Sequence, residues 1–256
     1  MAFSYLNLVL VTLTTLFFLQ TTKVKSQKSV SFHITNFTIS RPSITLQGTA
    51  EFLPNVLLLN DIEHPVFVVG RALYSKPITL WNNKTGKVAS FVTSFTFDVQ
   101  DLKKTVPGHG LVFFLAPSGS EIPFSSDGGN LGVVDGKNAF NRFVGVEFDN
   151  FVNSWDPKYS HVGINVNSLI STKTVKWNRV SGELVKVSIV YDSVSTTLTV
   201  IVTYKNGQIS ILSQLVDLKA VLPDTVNIGF SASTTLVSPR QLHNIHSWSF
   251  TSTFET

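Results

Sequence analysis

Two carboxylates spaced two residues apart, then an amide, a third acid and an imidazole, make residues 146–168 (VEFDNFVNSWDPKYSHVGINVNS) the densest set of oxygen and nitrogen donors in the chain. These donors are Glu147, Asp149, Asn153, Asp156 and His161. On a strand, Glu147 and Asp149 project from one face roughly 7 Å apart. Carboxylates that close repel each other, and a cation between them removes the cost. Carboxylate and amide oxygens with a backbone carbonyl suit Ca²⁺, whereas one imidazole among carboxylates suits a first-row ion such as Mn²⁺ or Zn²⁺. Asp149 and Asp156 are placed to bridge two ions. Without an ion, the same residues read as a strand and a turn with solvated acids and a surface histidine.

The elements that hold these donors are strands. Val144, Val146 and Phe148 alternate with Gly145, Glu147 and Asp149 as on a half-buried strand. Asn153-Ser-Trp-Asp156-Pro157 breaks the alternation as a loop, and His161 opens a second apolar run, 162–166. Elsewhere, residues 29–38, 93–99, 185–191, 198–204 and 245–254 alternate apolar and polar, while 111–115 are continuously apolar and so predicted to be covered on both faces. Asn206-Gly207 between two such runs signals a hairpin. Only 216–222, before Pro223, offers a turn of helix. Many short strands without helices imply two antiparallel sheets packed face to face, or a closed barrel.

A chain of 256 residues with 43% hydrophobic content can bury one substantial core. With no cysteine, disulfides and thiolate chemistry are excluded. The formal charge is +4, and setting aside Lys23 and Lys25 leaves about +2 with no basic run, which excludes nucleic acid as a partner. Residues 1–26 read as a secretory signal peptide: their apolar centre of about 14 residues is too short for the ~20 of a membrane span. That leaves 27–256 as one domain with no later membrane span, expected in the secretory pathway or outside the cell. In that setting Asn36-Phe-Thr38 and Asn83-Lys-Thr85 are glycosylation acceptors, Asn83 in a turn and Asn36 within a strand. His33, His64, His243 and His246 have no nearby donors in the sequence and read as surface or structural residues.

The order E-x-D-x-F-x-N-x-x-D-x-x-x-x-H from Glu147 to His161 resembles the metal loop of the legume lectins. GRALYS (70–75), VASF (88–91), GLVFFLAP (110–117), GFSAS (229–233) and SWSF (247–250) resemble the same family, in the same order. The resemblance implies an all-β fold, a concanavalin-like jelly-roll sandwich of antiparallel sheets. By the same likeness Glu147, Asp149, Asp156 and His161 hold Mn²⁺, and Asp149, the Phe151 carbonyl, Asn153 and Asp156 hold Ca²⁺. The family's partners are glycans or glycoproteins, and homodimers form through the back sheet. Its sugar site combines an Asp that follows a cis peptide, a Gly amide, the calcium-bound Asn and an aromatic ring. Gly129, Asn153 and Phe151 match three of these, and Leu236 falls in the loop that tunes sugar choice.

The fourth departs from the family: Gly108-His109-Gly110 stands where Ala-Asp-Gly is usual. Neutral imidazole offers one acceptor and one donor, whereas carboxylate accepts twice. Three readings of His109 follow: sugar binding is weakened or lost, specificity is retuned, or a neighbouring loop compensates. A cis bond at 108–109 is not expected without that Asp, since a non-proline cis peptide costs ~3 kcal/mol. A histidine in the site also implies binding that fades as pH falls through its titration. The enzyme alternative is a glycoside hydrolase, which needs a second carboxylic acid as proton donor. Phe151 and Val152 stand where it would be, so no enzyme is expected. A third reading is a lectin-fold protein without simple sugar binding, serving in storage, defence or plant–microbe symbiosis such as nodulation.

Overall fold

Residues 29–60, 69–102, 108–234 and 241–254 are described in a computed structural model, in which the alternating segments are strands. In chain order these are β1 (Ser29–Ile34), β2 (Ile44–Gly48), β3 (Glu51–Leu53), β4 (Val56–Leu58), β5 (Val69–Tyr74), β6 (Ile78–Thr79), β7 (Ala89–Asp101), β8 (Gly110–Pro117), β9 (Val144–Asp149), β10 (His161–Val166), β11 (Lys173–Lys176), β12 (Val185–Asp192), β13 (Thr197–Thr203), β14 (Ile209–Leu215), β15 (Thr225–Ser233) and β16 (Gln241–Phe254). The one helical turn the sequence offered is α1 (Leu218–Val221), capped by the Asp217 side chain, which accepts from Ala220 N. Two eight-stranded antiparallel sheets result. The first runs β14-β13-β12-β7-β16-β4-β3 with β1 also on β16, and the second runs β11-β10-β9-β8-β15-β5-β2 with β6 on β15. This is a sandwich and not a barrel.

Aromatic side chains fill the space between the sheets. Phe95 of the first sheet meets Phe230 of the second edge-on at 4.9 Å, and Phe97 meets Phe148 at 4.8 Å. Each such pair adds about 0.5–1.5 kcal/mol beyond the area it buries. A second apolar cluster, including Val112, Phe114, Leu131, Val133 and Phe143, lies on the far side of the second sheet. It explains the continuous run in β8, whose Leu111, Phe113 and Leu115 face the inter-sheet core while Val112 and Phe114 face outward under the 118–143 loop. It also corrects the reading of β9. All six of its residues are buried: on the face that alternation marked as solvated, Phe143 lies over Gly145, Asn165 and Ser171 bond Glu147, and the loop after β9 folds onto Asp149.

The hairpin at Asn206-Gly207 joins β13 to β14 through residues 204–208, with 205–207 at its tip. Gly207 N donates to Tyr204 O at 3.0 Å and Tyr204 N to Gln208 O at 2.9 Å. Only Gly207 takes a positive φ (83°), the pattern of a type I turn closed by a glycine bulge. Asn36 lies beyond the end of β1 and not within a strand, its Nδ2 donating to Asn55 Oδ1 at 2.8 Å.

Two of the histidines are structural, with partners distant in sequence. His246 Nε2 lies 2.5 Å from Asp98 Oδ1, and His243 is fully buried with Nδ1 donating to Asn60 Oδ1 at 2.8 Å. His33 is exposed, and His64 lies outside the described residues. Burial, with a smaller push from Arg179, lowers His243 to about 3. The unfolded chain therefore takes up a proton near pH 6.5 that the folded chain refuses. Stability is full above pH ~6.5 and falls by about 1.4 kcal/mol per unit toward pH 3 from this group alone. Denaturation midpoints measured from pH 7.5 to 4 should fall more steeply in the wild type than in His243→Gln; parallel curves would remove His243 as the cause.

Candidate functional site

Pairing of β9 with β10 sets Asp149 opposite His161 and Glu147 opposite Gly163, while β8 sets Gly110 against Asp149 from the other side. Opposed residues share a face. Glu147, Asp149 and His161 thereby bring one ligand atom each within 4.8 Å of the others, and all three are buried. His161 Nε2 is 3.2 Å from Glu147 Oε1, which also accepts from Asn165 Nδ2 at 3.1 Å and from the Ser171 hydroxyl. Only glycine fits at 163, since a Cβ there would stand 2.7 Å from Glu147 Oε1 and collide with Ser171 Oγ.

Burial, then the charges of Glu147 and Asp156, pushes the Asp149 carboxyl well above the usual carboxylate range. Burial raises Asp156 as well. Asp156 stands outside the 4.8 Å group but near enough to act on Asp149, and its Oδ2 accepts from Asn153 N at 2.7 Å. Asn153 Oδ1 is buried with no hydrogen-bond partner among the described residues. An acid cluster held this tightly, with an unsatisfied amide oxygen beside it, fits a divalent cation by donor type.

The loop after β9 folds back over the sheet end, as Phe151 N donates to Asp149 Oδ1 at 2.7 Å and Asp156 N to Asn153 O at 3.2 Å. Against the expectation from sequence, the Gly108–His109 peptide is cis. His109 N donates to Ser233 O at 3.1 Å and His109 O accepts from Asn150 N at 2.9 Å, so the main chain is held from both sides without an acidic side chain. The His109 ring is buried 4.5 Å from the Phe151 ring, and its Nδ1 has no partner among the described residues. Burial lowers His109 to about 4, opposed by Asp127.

Gly129 sits in a 3-10 turn, 128–130, facing Asn153: a Cβ on it would lie 2.9 Å from Asn153 Nδ2. The structure thus joins His109 with Phe151 and Gly129 with Asn153; Leu236 and Val237 lie outside the described residues. Gly129→Ala is expected to displace the Asn153 amide and weaken glycan binding about tenfold, the loss of one hydrogen bond. Titration calorimetry against a bound saccharide checks this, and an unchanged Kd would show that the corner tolerates the methyl.

Sequence reasoning missed Asn165, Ser171 and Asp127. Asn165 was findable, because it shares with His161 and Gly163 the face that β10 turns toward Glu147. Ser171 and Asp127 arrive from turns, and no spacing rule reaches them.

A sandwich with an acid–imidazole cluster at one sheet end, beside a corner of amides and rings, has the layout of a binding protein. Residues 29–256 match the legume lectin domain family model. The chain is 50% identical over 237 residues to a galactose-binding lectin of Arachis hypogaea, covering 91% of this chain and 86% of that one. It is 46% identical over 260 residues to a nodule lectin of Pisum sativum, covering 99% and 92%. Among solved structures, a Lotus tetragonolobus seed lectin superposes with a TM-score of 0.84 at 48% identity, covering 89% of this chain and all of that one. The chain belongs to the legume lectin family. Its relatives and structural neighbours are lectins, and it is not an enzyme.

Proposed function

We propose that this protein binds glycans or glycoproteins in the corner formed by His109, Gly129, Phe151 and Asn153, with a specificity set apart from its relatives by His109. What supports this is the His109 ring against Phe151 and Gly129 against Asn153, on the loop that follows the buried Glu147–Asp149–His161 group. Glu147, Asp149, Asp156 and His161 would hold Mn²⁺, and Asp149, Asn153, Asp156 and the Phe151 carbonyl would hold Ca²⁺. Bound ions would neutralise the acids and lock the loop that presents Asn153 and Phe151. The chain's own part is to offer the Gly129 amide N–H as a donor, the Asn153 amide as donor and acceptor, and the Phe151 ring as a stacking face. Galactose is the first sugar to try, since the Arachis hypogaea relative is described as galactose-binding.

A second reading, a lectin-fold protein that has lost simple sugar binding, is favoured by one observation. His109 is buried against Phe151 with Nδ1 unpartnered among the described residues, where the family has a two-acceptor carboxylate. A glycan array run with and without Ca²⁺ separates the two. Calcium-dependent binding to any glycan class supports the first, and no signal with the metals saturated supports the second.

Residues 1–26 would act as a signal peptide and are absent from the described residues. Delivery would be extracellular, or to a vacuole-like or symbiotic compartment. Asn83 would carry a glycan before Asn36, because it is exposed in a turn while Asn36 is half-buried; both amides donate, Asn83 to Asp224 Oδ2 and Asn36 to Asn55 Oδ1. The outer face of the first sheet, with Ser94, Thr96, Ser188 and Ser249 lining a furrow of about 300 Å³, would serve a homodimer. Among the described residues no helix is long and apolar enough to cross a membrane.

A further inference from the structure

Gln241, the first residue of β16, is fully buried and lies opposite Asp101 in the register with β7. Its Nε2 donates to Asp101 Oδ1 at 2.5 Å, and its Oε1 accepts from Asn150 Nδ2 at 3.2 Å. Asn60 Nδ2 donates to its main-chain oxygen at 2.5 Å. Asn150 directly follows β9, a strand of the opposite sheet, and its N donates to His109 O. One side chain therefore ties the end of β9, where the binding corner sits, to the other layer of the sandwich.

The direction of each hydrogen bond in this chain is forced from its far end. Arg179 Nη2 donates to Asp101 Oδ2 at 2.8 Å, and Asp101 N donates to Ser181 Oγ at 2.8 Å. The Arg179 ion pair keeps Asp101 a carboxylate, which only accepts. A buried amide can be turned either way round with no change of shape. Here Gln241 must present Nε2 to Asp101, so Oε1 points at Asn150, so Asn150 must present Nδ2. An apolar pair would fill the same space without fixing that rotation.

We propose that Gln241 is a positioning residue for the binding corner: oriented by the Asp101–Arg179 pair, it fixes Asn150 and, through its main chain, the neighbouring Asp149, Phe151 and His109. This rests on the metal-dependent binding function proposed above. Gln241→Glu puts a carboxylate against Asp101 and destroys the donor. Asp101→Asn in the same molecule restores it with the roles exchanged, since the introduced carboxylate accepts both from the new amide and from Asn150, and Arg179 donates to the new amide's oxygen.

The experiment measures Ca²⁺ and Mn²⁺ dissociation constants by calorimetry on the wild type, Gln241→Glu, Asp101→Asn, the double variant and Gln241→Met, each below its own melting range, alongside Tm. We expect Gln241→Glu and Gln241→Met to bind metal about tenfold more weakly, and the double variant to return to within about threefold of wild type. If Gln241→Glu fails to fold, Gln241→Met and the double variant still carry the comparison. Lower Tm with unchanged metal affinity, or a double variant that binds no better than Gln241→Met, would reduce Gln241 to a packing role. A wild type that binds neither ion would overturn the metal-dependent function itself.

Discussion

Chelating divalent ions is expected to lower the melting temperature by on the order of 5–10 °C at neutral pH, and by less at pH 5. A ligand present at a hundred times its Kd contributes about 2.7 kcal/mol, and a domain of this size shifts by about 2–4 °C per kcal/mol. The pH dependence comes from Asp149, whose carboxyl is pushed up by burial, then by Glu147 and Asp156. In the metal-free protein a raised carboxyl contributes stability below its unfolded pKa of 3.8 and loses it as pH rises through the folded value. At pH 7.5 the apo protein thus carries more of the cost of this raised acid than at pH 5. Bound metal reverses this by favouring the ionised form. His243 and His109 weaken both forms alike in acid, so the difference between chelated and loaded samples isolates the acid cluster. Asp149→Asn should abolish the response to metal while melting no lower than chelated wild type, since it buries no charge. Scanning calorimetry at the two pH values decides: a chelator that shifts nothing refutes the site, and a shift that grows toward pH 5 refutes the role of Asp149.

The legible part of this molecule follows from period and motif. Alternation placed β7, β12, β13 and most of β16, because each turns one face to the aromatic core and the other to solvent. It misjudged β9, because a strand's own residues do not reveal what covers its polar face. The spacing of Glu147, Asp149 and His161 was readable since two of them share a strand face and the third opens the next strand. Their partners were less so: Ser171 and Asn150 act through contacts that only the packed sandwich brings together. At Gly108–His109 a cost argument pointed to a trans bond, and the chain is cis there, held by Ser233 and Asn150 through main-chain groups that side-chain identity does not disclose. The hydrogen bonds of His243 and His246 were hidden for the same reason, with partners 183 and 148 residues away in sequence.

Replacing His109 with Asp is expected to raise monosaccharide affinity by about tenfold to a hundredfold. Gly129 stands against Asn153 and the Phe151 ring against His109, and in the proposed corner the absent element is a group that accepts from two sugar hydroxyls. Hydrogen bonds to a charged acceptor contribute about 1.5–3 kcal/mol each, so restoring two spans at least that range. His109 does not substitute for it: the ring is buried against Phe151, and its Nδ1 meets no donor or acceptor among the described residues. Burial also corrects the expected pH dependence. With His109 lowered to about 4, the imidazole is neutral throughout pH 5–8, and wild-type binding should be flat there, fading only as pH approaches 4. In the Asp variant the nearby Asp127 charge opposes ionisation of the new carboxyl, so the gain should be larger at pH 7.5 than at pH 5. Calorimetry of both proteins against galactose, mannose and their methyl glycosides, with Ca²⁺ and Mn²⁺ saturating, is the measurement. Tight wild-type binding of a monosaccharide would show that His109 is no obstacle, and an Asp variant that gains nothing would mean that the corner lacks more than a carboxylate.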